Sequence, residues 1–590
     1  MTINSELEKK IINLVELFNN KSFDEVIEKA NLLYSNYKSL PILPNLIGAS
    51  YAGKNNHNEA IIFFKKALII DSTNTEILNN LGKSYVVNDD YNKAFEVFKN
   101  SLDLDSNNYE TYFNLGILYF NKNNFNLALE NYFLAIKLNN KFDKLYYNTG
   151  IVLSKIGRNK EAINYFLKTL KINPNHLKAL NNLGLQFINE NKYDLAKIYL
   201  NRAVSINPAY AKAFNNLGAL YLQKKDYQYA LHNFIRAFNI DNKLIISGIQ
   251  KHFLKRVFCD WSEKEELLSI LSHTINSDQH VSPWFCLSME DNAKNHFIRA
   301  KKFSSKFKLL NKNINNYSNK KIRIGYYAAD FHEHAGMINM EGIFKHHNKN
   351  EFEIFAFYYG DIKKDKTHKR IKNYFDNFFY VNDLEDEEIL KLSIQNKIDI
   401  AIYRAGLTIN ARSSIFAQKV APIQVNFLGY PGTTGQEGID YIIGDRFVIP
   451  KNHVQYFSEK IIFLTDCYYP RDNNRKINEI KIKRKDFNIP ENSFVFCSFN
   501  NSYKITSEEF EIWINLLNQV PNSRLLLLAS NEILKKNILN EANKKKINTT
   551  KIIFLEKTDL PTHLSRHTLA DLFLDSFNCN AHTSAVDSLW

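Results

Sequence analysis

The first half of the chain repeats one pattern of small and bulky positions every 34 residues. A glycine recurs at this spacing, an alanine follows each glycine after twelve residues, and a bulky apolar residue comes four positions later. The glycines are Gly48, Gly82, Gly116, Gly150, Gly184 and Gly218, the alanines are Ala60, Ala94, Ala128, Ala162, Ala196 and Ala230, and the bulky residues are Phe64, Phe98, Tyr132, Phe166, Leu200 and Phe234. This pattern predicts stacked helix pairs, in which the small residues allow close approach and the bulky ones fill the space.

The period and the pattern are typical of tetratricopeptide repeats. Residues 8–41 have the character of a degenerate first repeat, with Leu14 and Val26 at the positions of the glycine and the alanine. Terminal repeats depart from the pattern because they cap the stack. We therefore predict an α-solenoid, a tetratricopeptide superhelix, over residues 1–243, followed by a helical cap and linker over 244–318.

The second half alternates β-rich apolar runs with helical patterns, which is typical of parallel sheets covered by helices. The predicted strands are 322–327, 352–359, 398–403, 424–428 and 461–464 in a first set, and 494–499, 525–529, 552–555 and 572–577 in a second set. We predict an α/β region of two lobes, residues 319–475 and 476–590. Sheets of this kind bind ligands at the carboxyl ends of their strands.

Composition and charge narrow the class of protein. The chain has 590 residues, of which 45% are hydrophobic and 23% charged, as in a globular protein of several domains. The net charge of +14 comes in short basic runs with acidic residues nearby, so we expect no nucleic-acid partner. Five cysteines without C-x-x-C spacing favour the reducing cytoplasm. Charges near the N-terminus and the lack of any run of ~18 apolar residues predict neither a signal peptide nor a membrane span.

One polar position in the repeats goes beyond packing. An asparagine lies two residues before five of the repeat glycines, namely Asn80, Asn114, Asn148, Asn182 and Asn216. Helix interiors disfavour asparagine. Equivalent positions of a solenoid form a ladder along one face, where amides can bind the backbone of an extended polypeptide. We predict this binding role, and the alternative is the general abundance of asparagine in the chain.

Candidate chemical groups follow the predicted strands of the second half. His334 ends the segment 330–334 after the first strand, where it can act as a base or orient a hydroxyl group. Lys504 follows the first strand of the second lobe and can neutralise a diphosphate. His563 and Arg566 lie on the predicted helix before the last strand and can face the same cleft. Taken alone, a histidine in a loop such as His334, or a lysine such as Lys504, is more often polar surface.

The last residues suggest a phosphate site. The apolar run 569–577 predicts a buried strand, and a polar turn then leads into a helix that starts at His582, Thr583 and Ser584. A strand, a turn and a new helix N-terminus can cradle phosphate because backbone N–H groups point outward there. Asp587, one turn further on, can accept hydrogen bonds from ribose hydroxyls. The alternative is an ordinary helix cap formed by threonine or serine.

Together, these repeats and motifs resemble the protein O-GlcNAc transferase family over nearly the whole chain. The motifs are 325–334, 421–433, 455–460, 499–505, 520–523 and 582–587. The short connector at about 466–490 resembles bacterial-type members. The resemblance implies a two-lobed glycosyltransferase of the GT-B type. It implies inverting transfer of N-acetylglucosamine from UDP-GlcNAc to Ser or Thr hydroxyls of proteins, with neither a metal nor another cofactor.

The resemblance also implies roles for individual residues. Lys504 matches the lysine that contacts the donor diphosphate, Thr583 and Ser584 match the phosphate-binding pair, and Asp587 matches the ribose contact. The predicted donor-binding residues are Asn501, Lys504, His563, Arg566, His582, Thr583, Ser584 and Asp587, with His563 and His582 on the uridine side. His334 and Lys504 are the predicted catalytic residues, and the five repeat asparagines are the predicted contacts of the protein acceptor.

Two departures from the family keep alternatives open. Residues 403–408 replace a stretch that usually carries Asp or Asn before Gly-Tyr-Thr. Family members also continue past Trp590, so we expect a C-terminally truncated chain with an incomplete second lobe. One alternative is a peptide-binding scaffold with an inactive transferase region. Another is a related transferase that uses GDP-fucose or a UDP-hexose, although the His-Thr-Ser signature with Asp587 favours a UDP sugar.

Overall fold

The computed structural model describes residues 5–307, 309, 316–409, 411–471, 475, 477, 482–529 and 531–590. The chain divides into two compact units, Met1–Asn207 and Pro208–Trp590. Within the described residues, every helix is too short or too polar to cross a membrane.

Helix pairs that follow one another along the chain build the first unit. Its helices are α1 (Ser5–Asn19), α2 (Phe23–Asn36), α3 (Ile42–Gly53), α4 (His57–Ile70), α5 (Thr75–Val87), α6 (Tyr91–Leu104), α7 (Tyr109–Asn121), α8 (Phe125–Leu138), α9 (Asp143–Lys155), α10 (Asn159–Ile172), α11 (Leu177–Asn189) and α12 (Tyr193–Ile206). The two helices of each pair contact one another. The predicted degenerate first repeat is the pair α1–α2, in which Leu14 and Val26 are buried.

The repeat glycines have the packing role that the pattern predicts. A Cβ atom added to Gly82 would lie 2.3 Å from the Phe98 ring, and one added to Gly184 would lie 2.4 Å from Leu200. The repeat alanines and the bulky residues that follow them are almost completely buried. The close approach of paired helices therefore requires glycine at these positions, since any side chain would displace the partner helix.

The second unit begins with six helices. They are α13 (Ala211–Gln223), α14 (Tyr227–Ile240), α15 (Ile245–Val257), α16 (Lys264–Asn276), α17 (Pro283–Cys286) and α18 (Ala293–Ser304). The pair α13–α14 keeps the repeat pattern, with Gly218 against Phe234. The helices α14 to α17 enclose a hydrophobic cluster that includes Phe238, Ile249 and Phe285. This confirms that the chain stays helical after the repeats lose their register.

A parallel sheet of seven strands follows. Its strands are β1 (Ile322–Ala328), β2 (Phe352–Tyr358), β3 (Asn377–Tyr380), β4 (Ile400–Tyr403), β5 (Ile423–Asn426), β6 (Tyr441–Asp445) and β7 (Lys460–Leu464), in the order β3-β2-β1-β4-β5-β6-β7. The helices α19 (Ala335–His346), α20 (Lys366–Lys372), α21 (Asp386–Gln395) and α22 (Ser414–Ala417) connect them. Hydrophobic clusters cover the sheet around Phe331 and Phe344 and around Tyr403 and Phe416.

A second, smaller parallel sheet completes the unit. Its strands are β8 (Val495–Ser498), β9 (Arg524–Leu528), β10 (Ile552–Leu555) and β11 (Leu572–Phe573), in the order β10-β9-β8-β11. Its helices are α23 (Ser507–Gln519), α24 (Glu532–Lys544), α25 (Leu560–Arg566) and α26 (Thr583–Leu589). The predicted architecture of helical repeats followed by two parallel α/β sheets is confirmed.

The prediction of a long buried strand at 569–577 is wrong. The strand β11 has two residues, paired only with β8 at the edge of the sheet. Asp575 ends the strand because its Oδ1 atom accepts backbone hydrogen bonds from Ser576 and Ala581, each at 2.7 Å, and so bends the chain into a turn. Phe577 is consequently exposed. The short strands β3 and β6 were not predicted.

The strand order of each sheet reverses at one place, where a crevice opens at the carboxyl ends of the strands. In the larger sheet this place lies between β1 and β4, and in the smaller sheet between β8 and β11. The predicted residue His334 follows β1 and Lys504 follows β8. The turn that leads to Thr583 follows β11. The topology thus explains why these segments carry candidate chemistry.

Candidate active site

The loop after β1 brings a charged cluster to the crevice of the larger sheet. His334 is the residue before α19, and its Nδ1 atom accepts a hydrogen bond from the Gly336 backbone N–H at 3.2 Å. Asp330 Oδ2 lies 2.9 Å from the same nitrogen, and the His334 side chain is 49% exposed. Burial and the nearby Lys363 lower the pKa of His334, so a neutral imidazole is favoured.

The loop after β4 adds a buried cation to this cluster. Arg404 Nε donates to Asp330 Oδ1 at 2.9 Å, and the guanidinium Nη2 atom pairs with Asp330 Oδ2. Burial lowers the pKa of Arg404 to about 10, which leaves it charged at neutral pH. Arg404 belongs to residues 403–408, which differ from the family pattern. In the structure it lies beside His334.

Lys504 lies in the crevice of the smaller sheet, as predicted. It ends a short 3-10 turn, Ser502–Lys504, and is 9% exposed. Its Nζ atom donates to the carbonyl oxygen of Asn580 at 2.9 Å, so the ammonium group lies against the turn that precedes α26. An ammonium group has three donors. The bond to Asn580 uses one of them and the Cys579 side chain takes another, which leaves one donor for an anionic ligand.

The predicted phosphate-binding hydroxyls begin α26, but they do not cap it. His582 occupies the cap position without a side-chain cap hydrogen bond. The Thr583 hydroxyl lies 2.7 Å from the Tyr469 hydroxyl, and Asn339 Nδ2 donates to Thr583 Oγ1 at 3.3 Å. Ser584 Oγ points back to the carbonyl of Phe499, at 3.5 Å. The ordinary reading of a threonine or serine cap therefore does not describe this helix.

Asp587 is buried against a cation from the connector between the lobes. Its Oδ1 atom lies 2.8 Å from Arg475 Nη2, and both side chains are about 5% exposed. Burial raises the pKa of Asp587, and this effect outweighs the opposite effect of Arg475. His563 Nε2 lies 4.0 Å from Asp587 Oδ2. The structure thus brings the predicted ribose contact beside a predicted uridine contact.

Two further predicted donor residues, His563 and Arg566, contact Phe499, and His582 stacks on Tyr469. Arg566 Nε donates to His563 Nδ1 at 2.9 Å, and its guanidinium lies 5.3 Å from the Phe499 ring. Burial, followed by Arg566, lowers the pKa of His563 to about 3. Burial, followed by Lys504, lowers the pKa of His582 to about 4. Both imidazoles are neutral at physiological pH and can exchange hydrogen bonds with a ligand without adding charge.

Asn501 differs from the other predicted donor residues, because it is exposed at the start of the 3-10 turn. The structure also brings together three residues that sequence reasoning missed, namely Asn339, Tyr469 and Arg475. Tyr469 and Arg475 belong to the connector at about 466–490. Their signal in the sequence is weak, because a lone tyrosine or arginine in a polar segment is ordinary surface composition.

Four of the five repeat asparagines bond to a residue of a neighbouring repeat, and Asn216 bonds to the adjacent Asn215. Asn114 Nδ2 donates to Asn79 Oδ1 at 2.9 Å, Asn80 Nδ2 donates to Asn45 Oδ1 at 3.3 Å, and Asn182 Nδ2 donates to the Tyr147 hydroxyl at 3.3 Å. Asn148 is hydrogen-bonded to Tyr132, and Asn216 Oδ1 accepts from Asn215 at 3.4 Å. These amides therefore help to hold the repeats together, a role that the sequence argument did not anticipate. Asn80 also lines an open polar groove with Asn79, Lys83 and Glu110.

The Gly-rich turn after β5 has a structural explanation. The buried Glu459 carboxylate accepts from Thr433 Oγ1 at 2.5 Å and from the Thr434 backbone N–H at 2.7 Å. A Cβ atom at Gly429 would lie 2.0 Å from the Arg404 carbonyl oxygen. The glycine thus allows the loops after β4 and β5 to pack together, and this turn needs no ligand to account for it.

One group of possible metal ligands occurs among the described residues. His252, Glu263 and Glu266 offer ligand atoms within 4.8 Å of one another. Lys251 Nζ lies 2.8 Å from Glu263 and 2.6 Å from Glu266, so both carboxylates already have a cationic partner. His252 lies in α15, and the two glutamates lie at the start of α16. None of them lies on the loops that carry the candidate site.

Comparison with family models identifies both halves of the chain. The model of glycosyl transferase family 41 matches residues 299–484 and 472–590. The tetratricopeptide repeat model matches residues 45–74, 75–108, 109–142, 143–176 and 177–210.

Curated proteins of plants and animals are similar to slightly less than half of this chain. A probable UDP-N-acetylglucosamine–peptide N-acetylglucosaminyltransferase of Arabidopsis thaliana, SEC, is 36% identical over 276 residues, which are 46% of this chain and 28% of that protein. The protein of Oryza sativa named SPINDLY is 27% identical over 278 residues, 45% of this chain and 29% of that protein. The Caenorhabditis elegans UDP-N-acetylglucosamine–peptide N-acetylglucosaminyltransferase is 22% identical over 382 residues, 46% and 33% respectively. The matches span about a third or less of these relatives.

A solved structure supports the fold. A mutant of the O-GlcNAc transferase of Thermobaculum terrenum aligns with a TM-score of 0.52 and 19% identity, covering 76% of this chain and 80% of that one. This level of similarity supports the predicted combination of a repeat solenoid with a GT-B-type α/β region. Through residues 299–590, which carry the candidate site, the chain belongs to glycosyl transferase family 41.

Proposed function

We propose that this chain is a protein O-linked N-acetylglucosamine transferase that uses UDP-GlcNAc as its donor. The observation that carries the proposal is the convergence of Lys504 with His582, Thr583 and Asp587 at the crevice of the smaller sheet. A cation, hydroxyls and a carboxylate in this arrangement suit diphosphate and ribose. The names of the similar plant and animal proteins support N-acetylglucosamine as the sugar.

Donor binding, in this proposal, uses residues of the second lobe. Lys504 binds the diphosphate, Thr583 and Ser584 donate to its oxygens, and Asp587 accepts from the ribose hydroxyls. For this binding Thr583 must exchange its bond to Tyr469 for one to phosphate, which costs little because the hydroxyl can rotate. His563, Arg566 and His582 complete the nucleoside side of the site.

The transfer step joins an acceptor hydroxyl oxygen to the anomeric carbon of the sugar. The bond from that carbon to the β-phosphate oxygen breaks, its electron pair stays with UDP, and one proton is released. The buried Lys504 ammonium stabilises the charge that develops on the diphosphate, since electrostatic interactions are strong in a site with little water. We propose that this cation makes a metal unnecessary. His334, on the facing lobe, contacts the acceptor hydroxyl or the donor.

The protein acceptor, in this proposal, binds along the repeats through Asn80, Asn114, Asn148, Asn182 and Asn216. The open polar groove beside Asn80 supports this role. An amide that bonds to a neighbouring repeat through one group can bind a polypeptide through another, because each amide has two donors and an acceptor oxygen. We place the reaction in the cytoplasm, because all five cysteines are free.

A transfer assay with the complete 590-residue chain tests the proposal. Mass spectrometry should detect N-acetylhexosamine on Ser or Thr of an acceptor protein incubated with UDP-GlcNAc. Lys504→Met should lower this rate at least ~100-fold, as expected for loss of one charge-stabilising donor, while Lys544→Met, an exposed lysine of the same lobe, should not. A folded chain that binds UDP and never transfers the sugar would instead favour a peptide-binding scaffold.

A further inference from the structure

We propose that Arg404 is a positioning residue, whose guanidinium holds Asp330 and thereby keeps the ring proton of His334 on Nε2, facing the cleft. The placement of these groups stands on geometry alone. Only the identity of the group that His334 contacts rests on the proposed function.

The sheet topology brings Arg404 to Asp330. The strands β1 and β4 are neighbours, with Tyr327 opposite Tyr403, so the residues after each strand enter the same crevice. Arg404 and Asp330 are 7% and 14% exposed and form a two-point pair through Nε and Nη2. A guanidinium fork suits a carboxylate in this way, and a buried pair with two contacts is held in one orientation.

Three polar groups compete for His334 Nδ1. The Gly336 N–H donates to it at 3.2 Å, and Arg404 Nη2 lies 3.5 Å away. Both are donors and therefore require a lone pair on Nδ1. Asp330 Oδ2, at 2.9 Å, is an acceptor and would instead require a proton there. Arg404 favours the first arrangement, because its Nη2 group lies beside Nδ1 and also occupies a lone pair of Asp330 Oδ2, which weakens that oxygen as an acceptor.

A neutral imidazole carries its proton on the nitrogen that is not accepting a hydrogen bond. Burial and the cations Lys363, Lys225 and Lys557 favour the neutral ring of His334. With Nδ1 as acceptor, the Nε2–H group donates to an oxygen of the bound substrate. His334 then orients that oxygen and does not remove a proton from it. Without Arg404, Asp330 would draw the proton to Nδ1, and Nε2 would become a base.

Gly336 leaves room for the Arg404 guanidinium. A Cβ atom at residue 336 would lie 2.6 Å from Arg404 Nη1. The first turn of α19 therefore accommodates the guanidinium only because this residue has no side chain. The same glycine supplies the N–H group that bonds to His334.

Nuclear magnetic resonance of the complete chain with ¹⁵N-labelled histidine rings tests the inference. Comparison with His334→Gln assigns the His334 signals. In the wild type at neutral pH, Nδ1 should have the shift of an unprotonated nitrogen and Nε2 that of a protonated one. In Arg404→Met the two shifts should exchange, and in the double variant Arg404→Met with Asp330→Ala the wild-type pattern should return. Gly336→Ala, which displaces the guanidinium without removing it, should shift the pattern in the direction of Arg404→Met.

Protonated Nδ1 in the wild type would overturn the inference whatever the variants do, and so would an unchanged pattern in Arg404→Met. UDP binding is measured on the same samples. Arg404→Met should bind UDP with less than a twofold change. If the wild type does not bind UDP, that result would count against the proposed function. The tautomer of His334 would still decide the role of Arg404.

Discussion

At the scale of single residues, Glu459 shows how a buried charge can be held without a cation. Its carboxylate is 5% exposed and accepts from the side chain of Thr433 and from both the backbone and the side chain of Thr434. Three donors aimed at one buried carboxylate satisfy its oxygens, and they fix the Gly-rich turn after β5. Glu459 therefore gives the Gly-rich turn within the motif 421–433 a structural role.

Glu459→Gln tests this structural explanation. The amide would point an NH₂ group at one of these donors, and an unsatisfied buried group costs about 1–3 kcal/mol. The free energy of unfolding, measured with urea, should fall by about that amount, while the affinity for UDP should stay the same. Glu437→Gln, at an exposed position of the same loop, is the matched control. A loss of UDP affinity without a loss of stability would contradict this explanation and indicate that the turn takes part in ligand binding.

At the scale of elements, three partly buried histidines lie in and around α25 and α26. His563 lies in α25, His567 follows that helix, and His582 lies in the turn before α26. Burial is the main cause that lowers the pKa of His563 to about 3, and of His567 and His582 to about 4. The unfolded chain binds protons at these histidines near pH 6.5. Protons therefore bind the unfolded state more tightly, so stability is complete above about pH 6.5 and declines as the pH falls toward 4.

Thermal unfolding at a series of pH values checks this expectation. The melting temperature of the wild type should fall between about pH 6.5 and 4, and His567→Gln should reduce that slope because it removes one of the three groups. The exposed His273→Gln serves as the control and should leave the slope as it is. An identical slope in the wild type and in His567→Gln would show that His567 does not contribute to the pH dependence.

Elements also mark the limit of prediction from sequence. Repeat glycines and apolar runs are local signals, so the helix pairs and most strands could be predicted. The strand β3 is a short edge strand, and β11 ends early because Asp575 bends the chain, and neither feature has a strong local pattern. The meeting of Arg404 with Asp330 depends on the pairing of β1 with β4, which no local pattern encodes. Hence the place of His334 after β1 could be predicted, while its proximity to Arg404 could not.

At the scale of the whole molecule, the second unit carries two sheets, each with one crevice where its strand order reverses. The predicted catalytic residues His334 and Lys504 follow strands that border these crevices. Asn339 from the larger lobe, Tyr469 from the connector and Thr583 from the smaller lobe meet in one hydrogen-bonded group. A nucleotide that binds at Thr583 would therefore affect both lobes.

We propose that these elements form a donor site for a uridine nucleotide. The most direct measurement is a calorimetric titration of the 590-residue chain with UDP, with GDP and Lys504→Met as comparisons. We expect micromolar binding of UDP and no binding of GDP. Lys504→Met should bind UDP at least about tenfold more weakly, since one charged hydrogen bond contributes about 1.5–3 kcal/mol. A folded chain that binds neither nucleotide, or that binds GDP as well as UDP, would contradict the proposal.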